Sequence, residues 1–97
     1  MLQKITNKSV RGPNFTVTVP DVHKVEYVEG GKVATVEIEG GMTVPGQVDW
    51  LVYAQTFHGW QPPHESEKIN CEKRGQILQN VSHALSILEM PNKIIGG

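Results

Sequence analysis

The hydrophobic period of this chain changes once, near residue 70, from the two-residue repeat of a strand to the ~3.6-residue repeat of a helix. Strand faces and helical stripes each have to be buried, so strands first and one helix last restrict the fold to α+β. Before the change, Phe15-Thr16-Val17-Thr18-Val19 alternates aromatic or branched residues with threonine, as a half-buried strand does. Val22–Glu29 and Lys32–Glu39 flank Gly30-Gly31, a two-residue loop suited to a hairpin turn with positive φ. On the first arm His23, Val25 and Tyr27 share one face, and Lys24, Glu26 and Val28 the other. The second arm sets Ala34, Val36 and Ile38 against Thr35, Glu37 and Glu39. Arg11-Gly12-Pro13-Asn14 forms a turn cluster after a first strand around Leu2–Val10. Gly40-Gly41 is expected to end the second hairpin arm, and Pro45-Gly46 to turn the chain again. Gln47–Gln55 then reads as a buried strand, because Trp50-Leu51-Val52-Tyr53-Ala54 is apolar on both faces.

After the change, Ile77, Leu78, Val81, Ala84, Leu85 and Leu88 form one helical stripe opposite Gln79, Asn80, His83 and Ser86. Asn70 is the predicted N-cap, and Glu72 places a negative charge in the first turn where the helix dipole favours it. Gly75 weakens a helix, so its presence suggests close packing at that point. Pro91-Asn92 stops the helix, and Ile94-Ile95 suits a short edge strand. Residues 1–97 are therefore expected to form a single α+β domain. Its antiparallel sheet of about five strands, over residues 2–55, packs against one long C-terminal helix at about residues 70–90.

Composition removes several functions. Nine Lys and Arg against ten Asp and Glu give a formal charge of −1, without the basic excess of a domain that binds nucleic acid directly. No apolar run approaches the ~20 residues of a membrane span. The opening MLQKITNKSVRG lacks the apolar stretch of a secretory signal, so a cytoplasmic location is expected. The single cysteine, Cys71, can form neither an internal disulfide nor a thiolate cluster. The charge is unevenly spread. Residues 25–72 hold eight carboxylates against Lys32 and Lys68, and both flanks are net basic. An acidic middle of this kind can steer a basic partner to one surface. Its carboxylates also do the ordinary work of solvating outward strand faces.

No catalytic constellation stands out. His58 and His64 lie six apart with Glu65 adjacent, which matches no metal-ligand spacing, and no metal or cofactor is expected. Gly30-Gly31 and Gly40-Gly41 are not followed by a helix and do not make a phosphate loop. A metal-free nuclease working through His58, His64 and Glu65 is one alternative, with a bell-shaped pH profile as its signature. A small binding or scaffolding domain is another.

The most distinctive segment is Trp50–Glu65, WLVYAQTFHGWQPPHE. It runs from the strand Trp50-Leu51-Val52-Tyr53-Ala54 through a loop to Trp60-Gln61-Pro62-Pro63-His64-Glu65. Ile69 and then a helix over Asn70–Met90, with Arg74, Ile77 and Leu85, follow. Across residues 45–90 this pattern resembles the immunity protein 74 family of bacterial polymorphic and contact-dependent toxin systems. The resemblance implies a protein that binds a cognate toxin domain, often a nuclease acting on tRNA or other RNA, and neutralises it stoichiometrically without catalysis. Trp60, Pro62, Pro63 and His64 carry over as motif residues that support the fold. Read from the residues alone, Trp60 suits either a binding anchor or a stack on Pro62 or Pro63 that pins the loop against the helix, and the second role is expected. Contacts to a basic nuclease cleft are assigned from charge distribution to Glu26, Glu29, Glu37 and Glu39, with Asp49 or Glu65 as a second group.

Overall fold

The computed structural model describes residues 2–44 and 47–96. The turn predicted at Pro45-Gly46 lies outside the described residues. Among them, seven strands form one sheet in sequence order: β1 (Gln3–Thr6), β2 (Ser9–Arg11), β3 (Phe15–Asp21), β4 (Lys24–Glu29), β5 (Lys32–Val44), β6 (Gln47–Tyr53) and β7 (Asn92–Ile95). The helix α1 (Cys71–Ile87) lies between β6 and β7, and those two strands pair in parallel whereas every other neighbouring pair is antiparallel. A parallel pair needs a long crossover, which the loop after β6 and the helix supply.

The strand count exceeds the five read from the sequence for two local reasons. The predicted strand over Leu2–Val10 folds back at Asn7-Lys8 and becomes β1 and β2, and Ile94-Ile95 forms the core of β7. Nor do Gly40-Gly41 end a strand. β5 runs through them, and Gly40 pairs with Trp50 of β6. A Cβ at Gly40 would sit 3.4 Å from the indole ring, so the glycine leaves the large ring room to lie over the strand. The hairpin itself forms as read, with Gly30 at φ 58° and Gly31 at φ 79°.

One sheet face carries the core. Cross-strand register aligns Val10, Val17, Tyr27 and Ala34 in one row, Val25 with Val36 in a second, and Ile38, Val52 and Ile94 in a third. Ile77, Leu78, Val81, Ala84 and Leu85 of α1 pack onto these rows and are buried. Asn70 caps the helix, its side chain accepting a hydrogen bond from the Lys73 amide at 2.7 Å. The helix stops at Ile87, three residues short of the predicted end. Glu89 takes φ 62°, while the amides of Glu89 and Met90 donate to the carbonyls of Ser86 and Leu85 at 3.1 and 2.9 Å. That is a Schellman closure, formed before Pro91 is reached. Gly75 is exposed, and a Cβ there would meet nothing within 4 Å. The expected close packing is absent at that position.

Candidate partner-binding surface

Where β6 ends, β5 still has backbone groups to satisfy, and the Trp60 loop supplies partners. The Thr56 hydroxyl accepts from the Glu37 amide at 2.8 Å and donates to the Tyr53 carbonyl at 2.7 Å. The Gln61 amide donates to the Val33 carbonyl at 2.7 Å. The loop thus lies along the strand edge, and its aromatic side chains turn inward. Trp60 is 7% exposed and stacks on Tyr27 at 6.3 Å, with the Lys32 ammonium 5.7 Å from its ring centre. Phe57 is buried with the Arg74 guanidinium over its ring, and Arg74 also donates to the Ala54 carbonyl at 2.6 Å. The Pro62-Pro63 bond is cis. His64 accepts from the Glu67 amide through its carbonyl and donates to the Gln61 carbonyl through its amide. Trp60 therefore packs on the sheet through Tyr27 and lies under Lys32.

The acidic residues divide among three places. Glu29 is on the helix-covered side, and its carboxylate accepts from the Tyr27 hydroxyl at 2.5 Å and from Lys73 of α1 at 2.6 Å. Burial raises the pKa of this carboxyl, but the hydrogen bonds from Lys73 and Tyr27 and the charges of Lys73 and Lys32 outweigh it and hold the group below its ordinary value. Burial, reinforced by Glu29, raises the Tyr27 phenol. Glu65 is exposed in the loop, beside a shallow cleft of about 290 Å³ that Phe57, His58, Glu67, Lys68 and Arg74 also line. Among the described residues no group of three or more His, Cys, Asp or Glu is placed to hold a metal ion.

The third place is the sheet face that α1 does not cover. Strand alternation puts Glu26 of β4, Glu37 and Glu39 of β5 and Asp49 of β6 there together. Glu26 faces Thr35 across the strands, Lys24 faces Glu37, and Glu39 faces Leu51. Tyr53 lies across from Glu37, and its hydroxyl donates to the Glu39 carboxylate at 3.0 Å. That bond, more than burial, raises the Tyr53 phenol. Among the described residues no hydrogen bond or ion pair holds the carboxylates of Glu26 or Glu37. Val28, Val33, Leu51 and Tyr53 complete the face and are half-buried.

Sequence reasoning did not single out Leu51, Tyr53, Val28 or Val33 as surface residues. The apolar alternation of Trp50–Ala54 marks two apolar faces and is silent on whether a second layer covers both. Among the described residues no helix is long and apolar enough to cross a membrane. The family model described as immunity protein 74 matches residues 16–91, from β3 to the end of the crossover. Neither a curated protein nor a solved structure matches the chain.

Proposed function

The chain belongs to the immunity protein 74 family, and from that membership we propose that it binds one cognate toxin domain and neutralises it in the cytoplasm of the cell that makes both. The toxin in this proposal is a nuclease of the contact-dependent or polymorphic class, acting on tRNA or another RNA. The immunity protein acts stoichiometrically, by covering the active site or docking beside it, and turns nothing over. The observation that carries the reading is the family match, which spans β3 through α1 and therefore the hairpin, the Trp60 loop and the helix together.

Electrostatics supports the nuclease assignment. An enzyme that cleaves RNA needs a basic cleft for phosphates, and carboxylates held on a rigid sheet present the charge that such a cleft attracts. Glu26, Glu37, Glu39 and Asp49 meet that description from strands paired on both sides. Glu29 and Glu65 stand elsewhere, the first tied to Lys73 and the second in the loop.

The test is co-expression with the C-terminal domain encoded by the gene immediately upstream, read by growth and by size-exclusion chromatography. The expected result is a toxic domain, rescue by this chain, and a stable one-to-one complex. A harmless domain, or one that this chain ignores, refutes the reading and favours a scaffolding role. RNA cleavage by this chain alone, lost in His64→Ala, would point to an enzyme.

A further inference from the structure

We infer that the toxin docks on the uncovered sheet face centred on β5, opposite the helix, and that this face fits a basic, phosphate-binding protein surface. The inference rests on the immunity reading and adds the surface that performs it.

The first support is the composition of β6. Leu51 and Tyr53 occupy the outward positions of a strand whose inward positions, Trp50 and Val52, pack in the core. A sheet with one wet face normally alternates apolar inside with polar outside. Here the outward positions remain apolar on β6, and Val28 and Val33 repeat this on the paired strands β4 and β5. All four are half-buried. Leu51 and Tyr53 lie beside Glu39 and Glu37, and Val28 with Val33 lies nearer the Gly30-Gly31 turn, so apolar area flanks the charged stretch of β5 and is available for burial by a partner.

The second support is the arrangement of charge on the same face. Thr35, Glu37 and Glu39 follow one another along the outward side of β5, with Glu26 on one flank and Asp49 on the other. The Tyr53 hydroxyl fixes one Glu39 oxygen. Lys24 stands beside Glu37, while Arg11 and Lys93 lie at the margins, on β2 and β7. At the centre Glu26, Glu37, Glu39 and Asp49 outnumber Lys24, and Arg11 and Lys93 are marginal, so the net charge of the centre is negative and complements a cleft whose phosphate-binding centre is basic. Strand pairing fixes these positions before the partner arrives, so little ordering entropy is lost on docking.

Size is the third support. Six inter-strand spacings of about 4.8 Å give a width near 29 Å, and the six and seven residues of β4 and β6, rising about 3.3 Å each, give a length near 20 Å. A face of roughly 600 Å² is comparable with the roughly 800 Å² that each partner contributes to a standard interface.

The experiment measures affinity by titration calorimetry, using the full chain and the toxin domain recovered by co-expression. Glu37→Lys/Glu39→Lys and, separately, Leu51→Gln probe the face. Gln76→Lys and Gln79→Lys, exposed on the outer side of α1, are the controls. Circular dichroism confirms that each variant is folded. The charge-reversed pair is expected to bind at least about tenfold more weakly at low ionic strength, with a flatter salt dependence. Leu51→Gln is expected to weaken binding at every salt concentration, and the helix variants to stay within about twofold of the parent. If the parent binds and the face variants bind equally well, the docking face is wrong and the immunity reading stands. If the parent does not bind, both fall. A parent that sediments as a dimer which Leu51→Gln dissociates would assign the face to a second copy of this chain and overturn the inference.

Discussion

Trp60 and Glu29 show how side chains near the crossover hold the molecule together. The Trp60 indole is enclosed by Tyr27 on one face and approached by Lys32, which also pairs with Glu67 of the same loop. Truncating it removes a buried aromatic and the contact that seats the loop on the sheet. Trp60→Ala is expected to lower unfolding free energy by about 3–5 kcal/mol in urea denaturation. Unchanged stability with lost toxin binding would instead make Trp60 a contact residue. Glu29 makes a different prediction. Its carboxyl pKa is lower in the folded chain than in the unfolded one, so its contribution is fully present above the unfolded value, ~4.3, and disappears as pH falls through the folded one. Both partners are partly exposed, which screens the pair, so the contribution is about 1 kcal/mol. Thermal melts of Glu29→Gln should lie below the parent at neutral pH and converge with it in acid. A constant offset across that range would show that the carboxylate charge contributes nothing.

At the scale of elements, the hairpin and the helix were legible because each is specified by neighbours in sequence. Gly30-Gly31 needs only positive φ, and Asn70 needs only the Lys73 amide three residues on. The β1–β2 fold-back and the continuation of β5 were not legible, because both depend on contacts made elsewhere. Gly40 looks like punctuation until Trp50 is placed opposite it, after which it is the residue that admits the ring. Gly75 is the reverse case: it looks like a packing requirement and meets only open space. Its helical, exposed position predicts that Gly75→Ala stabilises the chain by about 0.5–1 kcal/mol, through better helix propensity and a less flexible unfolded state. A shift of the urea midpoint upward with an unchanged slope would confirm this, and a downward shift would reveal a contact the open space does not show.

For the molecule as a whole, local patterns cannot say how many layers a sheet has. Periodicity assigned Leu51 and Tyr53 to an apolar face, but among the described residues there is a single α-helix, and it packs on the opposite sheet face. The same limit affected the carboxylates. Glu26, Glu29, Glu37 and Glu39 are neighbours along the hairpin, yet Glu29 lies on the side that faces the helix and the other three on the side that does not. Grouping by face therefore predicts a kinetic behaviour that grouping by sequence does not. A near-neutral chain with its outward carboxylates gathered on one face attracts a basic toxin in a preferred orientation before contact. Raising salt from low to high should slow association with the toxin domain by about tenfold or more, as stopped-flow mixing would record. Dissociation should change much less, because short-range apolar contacts at Leu51 and its neighbours hold the formed complex. Glu29→Gln removes a charge that already lies against Lys73 on the other side, so it should leave the salt dependence intact. Glu37→Gln should reduce it. Equal effects from the two substitutions would mean that the toxin senses total charge, and that the division of the sheet into two faces has no part in recognition.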